Sequence, residues 1–245
     1  MEHSIQNIPL LNLSLSFIPV ALALFILFKW SLSSSNALYA IARMLVQLLI
    51  VGYLLSYIFD ADNAGIVISI LAVMVFASSW IALGSLPVKR RAIYKYAVLS
   101  IAVGGGLTLL IITQGVLNLD PWYTPQILIP IAGMVFANAM NSISLAAERM
   151  HAEIERQVSY IEARHIALHA SLIPVINSLF AVGLVSLPGM MTGQILSGIS
   201  PLIAVRYQIM VMCMIFASSV LSAALFLTLT KRFFSPQQHA QKPRA

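Results

Sequence analysis

The chain has 245 residues, 60% of them hydrophobic and only 9% charged, with a formal net charge of +6. That balance excludes an ordinary soluble domain and points to a polytopic membrane protein. Its one cysteine, Cys213, excludes an intrachain disulfide and a cysteine-rich metal site.

A membrane-crossing helix needs about 20 mostly apolar residues. Seven stretches meet that demand: residues 10–28, 37–59, 64–86, 93–117, 125–146, 171–199 and 206–230. The start, MEHSIQNIPLL, carries no Lys or Arg before its apolar run, so it lacks the basic head of a cleaved signal peptide and is expected to be retained. SLSSSN (31–36), DADN (60–63), LPVKRR (86–91) and NLDPWYTP (118–125) punctuate the first five spans. If the spans alternate, all the Lys and Arg residues except Arg206 fall on one side, and Asp60, Asp62 and Asp120 fall on the other. The positive-inside rule then places the N-terminus outside and the C-terminus in the cytoplasm. The same asymmetry explains the +6 charge without a nucleic-acid partner. Trp122 and Tyr123 suit an outer interfacial belt.

In the second span, Arg43 lies about two turns from the cytoplasmic end, shallow enough to snorkel, with Gln47 one turn deeper. The fifth span holds Asn138 and Asn141, which share a helix face and read either as interhelical glue or as lining of a path. The polar segment AERMHAEIERQVSYIEARHIALHA, residues 147–170, has Met150, Ile154, Val158 and Ile161 at helical spacing. An amphipathic cytoplasmic helix continuous with the fifth span is expected there. It serves either as a solvated connector or as a docking surface, with Arg149, Glu153, Arg156 and Glu162 as candidate contacts. His165 and His169 stand four apart, but Ile166 replaces the Glu of the H-E-x-x-H zinc motif.

The sixth span contains SLPGMMTGQILSG, residues 186–198. Gly189, Gly193 and Ser197 form a small-residue ridge at four-residue spacing that would let another helix approach closely. Pro188 predicts a kink near mid-membrane, and Met190 and Gln194 form a neighbouring stripe. Met190, Met191, Met210, Met212 and Met214, with Cys213, are either gap-filling core or soft donors to a passing metal ion. The last stretch also carries Gln208. The tail 231–245 is polar and cytoplasmic by the same topology, leaving 1–230 as one membrane domain.

No Asp or Glu falls inside any of the seven apolar cores, which disfavours proton- or ion-coupled transport. No G-x-x-x-x-G-K-[ST] occurs, so the chain has no P-loop with which to hydrolyse ATP. Energy for uphill movement would have to come from another polypeptide.

Three blocks together resemble one family. VGLVSLPGMMTGQILSGISPLIAVRYQIMVM (182–212), ARMLVQLLIVGYLLSYIF (42–59) and IPIAGMVFANAMNSISLAAERM (129–150) are similar to the FetB-type ABC-transporter permeases, which include a bacterial iron exporter and plant subunits associated with aluminium tolerance. The resemblance implies an all-α bundle of about seven spans in a bacterial inner membrane, paired as a homodimer with a cytosolic ABC ATPase that binds the ATP, and export of a metal ion, iron for bacterial members. It implies no cofactor on this chain. Two departures stand out. Family members carry roughly 15 further residues between Glu162 and Arg164, with a Leu-Gly-Ala-Thr turn, where this chain runs straight through YIEARHIALH; and Ala137 stands where a Gly often precedes the Asn. A membrane scaffold and an ATP-independent carrier are the alternatives.

Overall fold

The computed structural model describes residues 8–59, 63–86 and 90–234, except the side chain of Ser56. Asp60, Asp62, Lys89, the N-terminal start and the tail from 235 lie outside the described residues. The elements in chain order are α1 (Leu10–Leu15), α2 (Phe17–Lys29), α3 (Ser34–Phe59), α4 (Ala64–Ala82), α5 (Arg90–Ser100), a π-helical segment (Ile101–Gly105), α6 (Gly106–Leu110), a second π segment (Ile111–Val116), α7 (Pro125–Glu155), α8 (Tyr160–Ala181), α9 (Gly189–Leu196), α10 (Pro201–Leu229) and α11 (Lys231–Phe234). No strand occurs among the described residues.

Among the described residues, six helical stretches are long and apolar enough to cross a membrane: Leu10–Lys29, Ser34–Phe59, Ala64–Ala82, Arg90–Val116, Pro125–Glu155 and Pro201–Leu229. The chain is all-helical and multi-pass. The expected sixth span, 171–199, is not one kinked helix. It is the second half of α8, a turn, and the eight-residue α9. The amide of Val182 reaches back to the Ser178 carbonyl, and Gly183 at φ 83° turns the chain out of the helix. A left-handed φ suits glycine because it has no Cβ to clash. Pro188 therefore precedes α9 rather than bending a continuous helix. Its missing amide costs nothing there, since the first amides of a helix have no intrahelical acceptor.

Two compact units divide the chain: Met1–Asp62 with Leu196–Gly198, and Asn63–Ile195 with Ile199–Ala245. The first is a hairpin of α1–α2 against α3, and neither α1 nor α2 buries a residue. Its apolar side chains face outward, as lipid allows and water does not. Arg43 and Gln47 lie exposed on α3.

The second unit is built on α7. One face of α7 buries Ala132, Val135, Ala139, Ile143, Ala146, Met150 and Glu153, each three or four residues after the last. A matching stripe on α10 buries Ala204, Gln208, Val211, Ser218, Ser222 and Phe226. Alanine recurs along the α7 stripe, and alanine and serine along the α10 stripe. Lipid tails are as apolar as leucine, so close van der Waals approach between small residues, rather than escape from water, holds such helices together. The closest approach lies at the first π segment. A Cβ on Gly104 would stand 2.6 Å from Ser222 Oγ and 2.8 Å from the Ser222 amide nitrogen, and one on Gly105 would stand 3.0 Å from the Phe136 ring.

The direction of α8 follows from its neighbours. Tyr160 at its start donates to the Leu227 carbonyl near the end of α10 (2.6 Å), while Leu179 and Val182 at its end share a cavity with Val205 and Gln208 near the start of α10. Thus α8 runs antiparallel to α10, returning across the unit between α7 and α10. The expectation of about seven helices holds in this sense, with α8 as the seventh traverse.

One end of this unit collects its polar features. Arg90 lies 3.8 Å over the Trp80 ring and donates to the Trp80 carbonyl, Tyr94 donates to Phe76, and Tyr96 meets Phe233 edge-on at 5.5 Å. Lys231 lies 5.6 Å from the Tyr160 ring. The basic ends of α5, α8 and α10 with α11 therefore sit together.

Candidate transport path

The polar segment 147–170 is not one amphipathic helix. α7 does continue out of the fifth span as far as Glu155, as its periodicity predicts, but the chain then reverses within four residues. Gln157 takes φ 64°, and the amides of Arg156, Gln157 and Val158 close onto the carbonyls of Ala152, Ile154 and Glu153. Ser159 restarts the helix: its hydroxyl accepts from the Glu162 amide at 3.4 Å, the geometry of an S-x-x-E cap. The predicted apolar stripe is split, with Met150 fully buried on α7 and Ile161 73% exposed on α8.

Glu153 is only 3% exposed, so it is not a free docking contact. Its carboxylate is 2.6 Å from the Arg149 guanidinium and 3.7 Å from that of Arg156. A buried carboxylate is tolerated when it is paired, and this clamp locks the last turn of α7. Arg156 and Glu162 remain exposed at the turn, and Arg149 is half-exposed. Burial pushes the Tyr160 hydroxyl above its ordinary pKa of 10.0, and the neighbouring Arg164 partly offsets the rise.

Away from the turn, three cavities follow the crevice between α7, α8 and α10. The first, about 100 Å³, is lined by Asn138, Asn141, Ser171, Ser178 and Ser219. The second, about 320 Å³, contains Ser178 again, with Met134, Pro188, Gly189, Met190, Gln208 and Met212. The third, about 370 Å³, shares Val182, Gln208 and Met212 with the second and adds Met191 and Cys213. The shared residues make the three a row.

Of the nine residues read as candidates for a path or for helix packing, seven line this row: Asn138, Asn141, Pro188, Gly189, Met190, Met191 and Gln208. Gly193 and Gln194 line none of the three cavities. Asn138 also donates to the Met134 carbonyl of its own helix, at 2.8 Å. Among the described residues, no neighbour stands within 4 Å of where a Cβ on Gly189 or Gly193 would lie, so the expected close helix approach is not seen at these two glycines. Met210, Met212 and Met214 are all buried, and Met212 also lines the cavities together with Met190 and Met191. Ser178, Met134 and Ser219 also line the row, though their positions in the sequence do not single them out. The one hint is Met134, which stands one turn before Asn138 on the same face.

Two polar atoms along the crevice, Ser219 Oγ and Gln208 Oε1, are buried without a hydrogen bond among the described residues, and so is Gln194 Oε1 outside the three cavities. Such atoms normally find partners, and each one left alone costs about 1–3 kcal/mol. No group of three or more His, Cys, Asp or Glu side chains that could hold a metal occurs among the described residues, and His165 and His169 are simply exposed on α8.

The model of the UPF0014 family, described as "Uncharacterised protein family", matches residues 10–234. The chain belongs to this family. Among its relatives, "Probable iron export permease protein FetB" of Escherichia coli K12 is 34% identical over 255 aligned positions, covering 97% of this chain and 95% of that protein. A UPF0014 membrane protein of Synechocystis is 34% identical over 221 positions, covering 84% of this chain and 85% of the relative. "Protein ALUMINUM SENSITIVE 3" of Arabidopsis thaliana is 33% identical over 224 positions, with 85% and 81% covered. No solved structure matches. This UPF0014 chain is thus a multi-pass integral membrane protein whose relatives include one named as a permease.

Proposed function

We propose that the chain is the membrane subunit of an ABC transporter in a bacterial inner membrane, exporting a metal ion with ATP hydrolysed on a separate cytosolic ATPase. The observation that supports this best is the row of cavities between α7, α8 and α10, which runs past Ser219 Oγ and Gln208 Oε1, both without a hydrogen-bond partner among the described residues. A scaffold would have no reason to keep a row of cavities lined by Asn, Ser and Gln side chains inside an apolar bundle. The E. coli relative, named for iron export, suggests iron as the first cargo to test.

The basic end of the second unit is the cytoplasmic face in this reading. The ATPase seats on the α7–α8 turn, contacting Arg156 and Glu162, with the Arg149–Glu153 clamp stiffening the end of α7 beneath. Motion there passes along α8, whose far end meets the cavities. The α8–α9 break at residues 182–188, rather than a kinked span, is the place where the path opens. Two copies of the chain match the two ATPase subunits.

The test is co-purification in detergent with a cytosolic ABC ATPase from the same organism. Complex formation and stimulated ATP hydrolysis are expected, and both fall when Arg156 and Glu162 are replaced by Ala. A chain that remains folded but neither binds nor stimulates any such ATPase refutes the assignment.

A further inference from the structure

The chemistry of the second cavity narrows what it holds. It contains the side chains of Met134, Met190 and Met212 and the Gln208 amide. Gln208 is 5% exposed, and its Oε1 has no hydrogen-bond partner among the described residues. Met212 follows Gln208 by one turn on α10, and both border the third cavity as well. No Asp, Glu or His lines any of the three cavities.

The geometry points to a site for a soft monovalent cation of the copper(I) or silver(I) class, held by the thioethers of Met190 and Met212 and the amide oxygen of Gln208, with Met134 as a further sulfur donor. This rests on the reading of the crevice as the cargo path and specifies the cargo class. Two principles converge on it. A donor set of neutral sulfurs selects soft ions, whereas carboxylate and carbonyl oxygens select hard ones. The desolvation of an ion in a cavity without counter-charge rises steeply with its charge, so a single positive charge enters far more readily than two or three. A ligand in the cavity also gives the orphaned Gln208 oxygen its partner. Iron(II), divalent and harder, binds here more weakly.

Silver(I), which undergoes no redox change, is the probe, titrated calorimetrically into the purified full chain in chloride-free detergent buffer. Cys213→Ser serves as background, because a thiol would bind silver on its own. One silver ion per chain is expected, with manganese(II) not bound. Met190→Leu with Met212→Leu, which conserves volume, weakens silver at least about tenfold. The exposed Met44→Leu on α3 leaves it unchanged. Gln208→Glu adds a carboxylate and confers manganese binding. Silver binding that is absent, or undiminished in the double variant, overturns the site. So does manganese bound as tightly as silver in the background chain, or a folded Gln208→Glu variant that gains none. Binding is read without ATPase or ATP. A chain that binds silver but couples to no ATPase therefore refutes the permease assignment alone, and a coupled chain that binds none refutes this site alone.

Discussion

Glycines show how position decides a residue's role. The four-residue spacing of Gly189 and Gly193 marks them in the sequence as a packing ridge, whereas the run Gly104–Gly106 has no such spacing to draw attention to it. The structure reverses the choice. Gly104 lies against the Ser222 backbone and hydroxyl, while Gly189 has open space beside it. Gly104→Leu is therefore expected to lose about 1–3 kcal/mol of stability, and Gly189→Ala to lose none, as thermal unfolding in detergent would show. Equal destabilisation by both would contradict the packing described for the first π segment. Asn138, Asn141, Met190 and Gln208 were legible because a polar or sulfur-bearing side chain in an apolar run is conspicuous. Ser178 and Ser219 were not, since serines recur throughout these helices and only their neighbours distinguish lining from packing.

At the scale of elements, long apolar runs disclose helices well and disclose breaks poorly. The 125–155 helix was readable from its periodicity because apolar and small residues recur along one face without interruption. The reversal at 156–159 was hidden. It depends on Gln157 adopting a left-handed φ, and no Gly or Pro marks it. In the same way Pro188 drew attention to itself, while the turn begins earlier, at Gly183. The α8–α10 contact offers a direct test. The Tyr160 hydroxyl donates to Leu227, and its pKa is raised above 10.0 by burial. A raised pKa means the folded state keeps its proton longer than the unfolded state. The contribution is therefore complete below pH 10 and is lost as pH climbs through the folded value. Tyr160→Phe should cost about 0.5–1.5 kcal/mol at neutral pH by losing one hydrogen bond, and should flatten the alkaline fall in stability. An unchanged alkaline profile in the variant would place that titration elsewhere.

For the whole molecule, Glu162 and Arg164, between which the resemblance implies roughly 15 further residues in family members, lie in the first turns of α8, just past the tight α7–α8 turn. The turn is nonetheless well formed, with a clamp below it and a helix cap beyond it. A short, rigid end is compatible with docking, because a preorganised surface loses less entropy on binding than a long loop. The energy source lies outside the chain in this reading, and the path lies within it. The most direct measurement is therefore flux in vesicles carrying the chain, with an ABC ATPase supplied on the basic face. ATP-dependent transport of a metal ion away from the ATPase side is predicted, abolished when the ATPase cannot hydrolyse ATP. Transport at the same rate without ATP, or none in vesicles where the ATPase is bound and active, would contradict it.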